Sequence, residues 1–106
     1  MAKISVEDYL LAKAAEEASE LSIEFNKCIV FGPSSVYEGK TQLEKVNREF
    51  NDLLTIVGML NAIFIQKYGS TVVVDRDMSV EKIAKTQYYM NVSRELGRLE
   101  GDNSNN

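Results

Sequence analysis

The sequence predicts an all-α fold, in which an antiparallel helical hairpin and a third helix are completed as a helix bundle by oligomerisation. Two long segments place apolar residues at helical spacing, and each begins at a serine or threonine with an acidic residue three positions later. The segment between them contains Gly32, Gly39 and Pro33, the only proline of the chain, as expected for a loop. A chain of 106 residues has the size of one domain.

The first helix is predicted to start at Ser5 and to run to about Lys27. Ser5 and Asp8 resemble a capping box with aspartate in place of the usual glutamate or glutamine. A loop is expected over about residues 29–40, where glycine, proline and serine cluster. A connection of this length lets the next helix return antiparallel to the first.

The second helix is predicted over about residues 41–68. Thr41 and Glu44 form a capping box at its start, and Gly69 is the kind of residue that often ends a helix. Apolar residues cover more than half of the circumference of this helix. A monomer of three helices cannot easily bury such a surface.

A third helix is expected after a connector of residues 70–78, whose three consecutive valines favour a short extended stretch. Asp77 or Ser79 is the predicted N-terminal cap of this helix. Its end is expected at about Leu96 or Leu99.

The predicted domain comprises residues 1–100, and the polar tail of residues 101–106 is expected to be disordered. A domain of this size buries a limited fraction of its surface when alone. Leu43, Leu54 and Ile65 share one edge of the apolar surface of the second helix. They predict the interface of a homodimer or homotetramer.

The composition excludes several classes of protein. The net charge of −4 argues against binding to nucleic acid or to anionic membranes, since both require a basic surface. With one cysteine and no histidine, the chain has no internal disulfide, no Cys/His zinc site, no Ser-His-Asp triad and no Glu-x-x-His di-iron motif. No apolar run reaches the length of about 20 residues that a membrane span needs, and the N-terminus does not resemble a signal peptide. A cytoplasmic protein is therefore expected.

Carboxylates lie on the apolar face of the first predicted helix. On a helical wheel of about 100° per residue, Glu17 and Glu24 fall within the arc that contains Leu10 and Leu21, and Glu20 lies beside it. Carboxylates are rare on buried faces, because desolvating a charge is costly unless a cation compensates it. The pattern therefore indicates a site rather than a simple core.

The second helix repeats this pattern, with Glu49 inside its apolar arc and Asp52 at the border. Because residues three positions apart are neighbours on a helix, Glu17 with Glu20 and Glu49 with Asp52 form two carboxylate pairs. Antiparallel packing can bring the pairs together. Such a group must take up protons or bind a divalent cation, and all-oxygen ligation suits Mg²⁺ or Mn²⁺.

Other interpretations of these acids remain open. Glu-x-x-Glu sequences are common on solvated helices, and Lys13 or Lys45 could form salt bridges with a stray carboxylate. Glu24 is an additional acid on the same face that could bind metal, act as a base or pair with a lysine.

Two segments resemble the motifs of MazG-like nucleoside triphosphate pyrophosphohydrolases, an all-α superfamily. Residues 16–21, EEASEL, resemble the EExxEL segment, and residues 48–54, REFNDLL, resemble the ExxD segment with its aliphatic residues. The resemblance covers about residues 5–95. It implies Mg²⁺-dependent hydrolysis of (d)NTP to (d)NMP and pyrophosphate, in a dimer or tetramer. The implied Mg²⁺ ligands are Glu17, Glu20, Glu49 and Asp52.

The same resemblance implies that the third helix brings basic side chains to the phosphates. Lys82 and Lys85 occupy that place here and share one helix face. Two positions depart from the family pattern, since Asn51 precedes the motif aspartate and Thr86 follows Lys85. Both departures bear on substrate contacts more than on the metal.

In the implied mechanism a metal-linked carboxylate, Glu20 or Glu49, orients or deprotonates the attacking water. The competing hypothesis is a non-catalytic helical interaction module that keeps the family fold. The preferred base is not determined by the sequence, although five aromatic residues are candidates for stacking on it. They are Phe31, Tyr37, Tyr68, Tyr88 and Tyr89.

Overall fold

The computed structural model describes residues 2–101 and is mostly helical, with one very small antiparallel sheet. The predicted all-α class is confirmed. The prediction of a disordered tail falls on residues 102–106, outside the described residues, except for Gly101. The elements in chain order are α1 (Val6–Phe31), β1 (Val36–Tyr37), β2 (Lys40–Thr41), α2 (Gln42–Tyr68) and α3 (Arg76–Glu95).

Helix α1 begins as predicted and ends later than predicted. The Ser5 side chain accepts a hydrogen bond of 3.0 Å from the backbone N–H of Asp8, as the capping pattern requires. The helix continues past Lys27 to Phe31, and Gly32 (φ 93°) ends it by donating its N–H to the carbonyl of Cys28. The predicted loop from residue 29 was therefore wrong at its start. The extra turn places Phe31 beside the connection to α2.

The connection contains a β-hairpin that the sequence did not predict. Val36 pairs with Thr41, and Tyr37 pairs with Lys40. The turn residues Glu38 and Gly39 both have positive φ, 53° and 80°, as in the tight turns that match the twist of a hairpin. Strands of two residues are too short to show an alternating pattern.

Helix α2 has the predicted caps. The Thr41 side chain accepts a hydrogen bond of 3.0 Å from the N–H of Glu44. At the other end, Gly69 adopts the left-handed conformation and donates its N–H to the carbonyl of Ile65.

Helices α1 and α2 pack antiparallel, as predicted. Glu7 near the start of α1 contacts Lys67 near the end of α2, and Glu24 near the end of α1 contacts Gln42 at the start of α2. The buried apolar core of the described residues is small and consists of Leu10, Val46 and Leu60.

The chain divides into two compact units, one up to Val72 and one from Val73 onward. The segment that follows α2 forms no strand. Instead, the Asn61 side chain accepts a hydrogen bond from the N–H of Val72 at 2.9 Å and donates one to its carbonyl at 2.8 Å. This pairing ties Val72 to the first unit.

Helix α3 lies in the second unit. Its N-cap is Asp75, which accepts a hydrogen bond of 3.0 Å from the N–H of Met78. The predicted caps, Asp77 and Ser79, were therefore wrong by one half to one turn. The helix ends at Glu95 and contains no buried residue in its described part. Within residues 2–101, no helix has both the length and the apolar character needed to cross a membrane.

Candidate metal centre

The packing of α1 against α2 brings three carboxylates together midway along the two helices. One oxygen from each of Glu17, Glu49 and Asp52 lies within 4.8 Å of the other two. All three residues are half-buried. Both members of the predicted pair Glu49 and Asp52 therefore meet Glu17 across the helix interface, whereas Glu20, the other member of the first pair, lies outside this group.

The surroundings of Glu49 oppose its negative charge. Burial raises the pKa of the Glu49 carboxyl above its ordinary value of 4.5, and the charges of Asp52, Glu17 and Glu20 raise it further. A hydrogen bond with Glu17 acts in the same direction. A positive charge placed among these groups would reverse the effect, because an opposite charge favours the ionised form.

Among the described residues, basic side chains compensate the negative charge of this carboxylate group only at Asp52. Arg48, which is 77% exposed in its side chain, lies 3.5 Å from Asp52. Within residues 2–101, Glu17, Glu20 and Glu49 have no lysine or arginine within 4.0 Å. Lys13 pairs with Glu16 instead.

The other two predicted acids have different surroundings. Glu20 is exposed and lies outside the group of three, although its charge still acts on Glu49. Glu24 accepts a hydrogen bond from the Gln42 side chain and lies 3.4 Å from Lys27. Of the three interpretations of Glu24, the structure contains the pairing with a lysine.

The donor set matches the preferences of Mg²⁺ or Mn²⁺. Both ions favour carboxylate oxygens, and Mg²⁺ keeps several waters when a protein supplies few ligands. In an octahedron with bonds of about 2.0–2.1 Å, ligand oxygens lie about 3–4 Å apart. The three oxygens within 4.8 Å therefore need only small side-chain movements to contact one ion.

A groove of about 540 Å³ adjoins Glu49 and carries both signs of charge. On α2, Lys45 lies four positions before Glu49, and Arg48 lies one position before it. Lys40, in strand β2 of the β-hairpin, also lines the groove. The sequence predicted no substrate role for these cations. The spacing of Lys45 and Glu49 was the available signal, since residues four apart share a helix face. The groove is lined by Glu24, Lys40, Glu44, Lys45, Asn47, Arg48, Glu49 and Asn51.

The predicted phosphate-binding lysines belong to the second unit. Lys82 and Lys85 lie on α3, and both are exposed. The Thr86 hydroxyl, at one of the two departures from the family pattern, donates a hydrogen bond of 2.7 Å to the carbonyl of Lys82. The role of the two lysines stays a prediction.

Comparison with known proteins adds no relative: no family model, no curated protein and no solved structure matches this chain. The resemblance to MazG-like enzymes therefore rests on the two segments quoted above.

Proposed function

We propose that this protein is a Mg²⁺-dependent nucleoside triphosphate pyrophosphohydrolase, which hydrolyses (d)NTP to (d)NMP and pyrophosphate. One observation carries the proposal: a half-buried group of carboxylates, Glu17, Glu49 and Asp52, adjoins through Glu49 a groove that is lined by both basic and acidic side chains. Phosphoryl chemistry requires carboxylates that bind a metal ion next to basic side chains that bind phosphate.

The proposed metal ligands are Glu17, Glu20, Glu49 and Asp52, with Mn²⁺ as a substitute for Mg²⁺. When bound, the metal neutralises charge that develops on the phosphates. Glu20 or Glu49 orients the attacking water and accepts its proton. The water oxygen bonds to the α-phosphorus, the bond to the bridging oxygen breaks, and pyrophosphate leaves with that oxygen.

The groove supplies candidates for contact with the triphosphate. Lys40, Lys45 and Arg48 present positive charge next to Glu49, where it would stabilise phosphate oxygens. Lys82 and Lys85 are proposed to add to this set, on the basis of the sequence resemblance alone.

We also propose that the active form is a homodimer or homotetramer that completes a helix bundle. Leu43, Leu54 and Ile65 are exposed along α2, and the small core leaves much apolar surface in contact with water. A cytoplasmic location is part of the same proposal and rests on the sequence.

The decisive experiment measures pyrophosphate release from a panel of NTPs and dNTPs with and without Mg²⁺. We expect release that requires Mg²⁺ and that falls by about 100-fold or more in Glu49→Gln, since even loss of an outer-shell partner costs about 10–100-fold. Glu95→Gln is the control, because Glu95 lies at the end of α3 and belongs neither to the carboxylate group nor to the two motif segments.

Absence of release from every nucleotide would contradict the enzymatic proposal. If Mg²⁺ also failed to raise the melting temperature of the folded protein, the metal site would be excluded. The non-catalytic interaction module would then be the better interpretation.

A further inference from the structure

A second cavity, of about 340 Å³, lies where the end of α1, the hairpin and the start of α2 meet. Its apolar wall is formed by Phe31, Val36 and Tyr37. Its polar groups include Lys27, Gln42 and Lys45. Pockets of this size and mixed character bind small organic ligands, with an apolar wall for contact area and a few polar groups for orientation.

The cavity adjoins the groove beside the carboxylate group. Among the lining residues, Lys45 is common to both. Its ammonium nitrogen lies 4.6 Å from the centre of the Tyr37 ring, at the distance of a cation–π interaction. A ligand whose phosphates occupied the groove would extend past Lys45 into this cavity with its nucleoside end.

The two aromatic rings are available to such a ligand. Phe31 is 65% exposed and Tyr37 is 67% exposed, with the Lys45 ammonium over part of the Tyr37 ring. Nucleobases stack on aromatic rings of this kind, and the stacking depends little on which base is present. Aliphatic ligands would gain only the area that they bury.

Gln42 adds a fixed polar group. Its residue is only 5% exposed, and its side-chain nitrogen donates to the carbonyl of Glu24 at 3.2 Å and to the Glu24 carboxylate. Within residues 2–101, no donor contacts the side-chain oxygen of Gln42. A buried acceptor without a donor is costly, and every nucleobase carries an N–H group that could supply one.

From these observations we infer that the cavity formed by Phe31, Val36, Tyr37 and Gln42 binds the nucleobase of the substrate. This inference rests on the proposed function, because the triphosphate groove beside Glu49 sets the direction of the ligand. Tyr37 stacks on the base, Gln42 accepts a hydrogen bond from it, and Lys45 lies between base and phosphates.

The test compares Tyr37→Ser with Tyr37→Phe, which keeps the ring. Tyr9→Ser is the matched control, since Tyr9 is an exposed tyrosine on α1 away from the cavity. For the preferred nucleotide we expect Tyr37→Ser to raise KM about 10-fold, because base–aromatic stacking contributes to binding at this scale. The inhibition constant of inorganic tripolyphosphate, which has no base, is expected to stay unchanged, and Tyr37→Phe and Tyr9→Ser to resemble wild type.

A second measurement does not depend on hydrolysis. Metal-free protein is titrated with AMP, CMP, GMP and UMP, and backbone amide shifts are followed by NMR. We expect the shifts to concentrate at Phe31, Val36 and Tyr37 and to disappear in Tyr37→Ser.

The two measurements separate the two proposals. Mg²⁺-dependent hydrolysis with an unchanged KM in Tyr37→Ser, and no shifts at the cavity, would overturn the base pocket and leave the proposed function standing. Shifts at the cavity without hydrolysis of any nucleotide would support the pocket and remove the proposed function. Absence of both the NMR shifts and the hydrolysis would overturn the base pocket together with the proposed function.

Discussion

Acidic side chains between α1 and α2 belong to two groups of contacts, and their neighbours differ. Near the start of α1, Glu7 contacts Lys67 and accepts a hydrogen bond of 2.7 Å from the Tyr68 hydroxyl. Midway along the same helices, Glu17 and Glu49 lie close together, with other acids as their neighbours. The same residue type in the same helix pair thus has opposite electrostatic surroundings.

The pKa shifts follow from these neighbours. Hydrogen bonds from Lys67 and Tyr68 lower the pKa of Glu7, whereas burial and nearby acids raise that of Glu49. In the first group the charge of Lys67 compensates that of Glu7, and ionisation of Glu7 favours folding. In the second group ionisation of Glu49 opposes folding. This difference distinguishes a structural ion pair from a site that needs an added cation.

The largest expected effect concerns the response to Mg²⁺. We expect Mg²⁺ to raise the melting temperature of wild type, because a ligand that binds only the folded state stabilises it. Glu17→Gln should abolish this rise, since Glu17 belongs to the group of three. Glu20→Gln should reduce the rise less, because Glu20 lies outside that group.

Differential scanning fluorimetry over a Mg²⁺ titration measures this ranking, with Glu7→Gln as the control acid that should keep the full response. An equal loss in Glu17→Gln and Glu20→Gln would contradict this ranking of the two residues. A loss in Glu7→Gln would remove the distinction between the two groups.

An intermediate effect is expected in the metal-free protein as pH changes. The pKa of Glu49 is raised in the folded state above 4.5, so its favourable contribution is complete below that value and is lost as pH rises through the folded pKa. Glu49→Gln should therefore gain stability relative to wild type between pH 4.5 and neutrality. Denaturant unfolding of protein freed of metal on a chelating resin measures this gain. A stability difference that does not change with pH would contradict it.

The smallest effect is expected at Glu7. The pKa of Glu7 is lowered from 4.5, so its contribution to stability is present above that value and is lost as pH falls through the folded pKa. Glu7→Gln should lower the melting temperature slightly at neutral pH, and its difference from wild type should disappear in acid. Lys67→Met should have a similar effect, and the double variant should lose little more than either single one.

The parts of the fold that the sequence predicted depend on local signals. Ser5, Thr41 and Gly69 act within one turn of their helix ends. The acids Glu17 and Glu49 were found because helical periodicity places each on the face that packs.

The parts that the sequence did not predict depend on tertiary register or on competing signals. Three residues of the types that cap helices, Asp75, Asp77 and Ser79, lie within five positions, and the N-cap of α3 is Asp75. The contact of Glu24 with Gln42 and the place of Lys45 in the lining of both cavities follow from the exact alignment of α1, the hairpin and α2. No periodicity within a single helix contains that information.

The Asn61 side chain has a consequence for local stability. Its amide makes with Val72 the two hydrogen bonds that a neighbouring strand would make. The stretch between α2 and Val72 is thereby closed into a loop anchored at both ends. The Val72 amide should consequently exchange its hydrogen with solvent slowly, although it belongs to no helix or sheet.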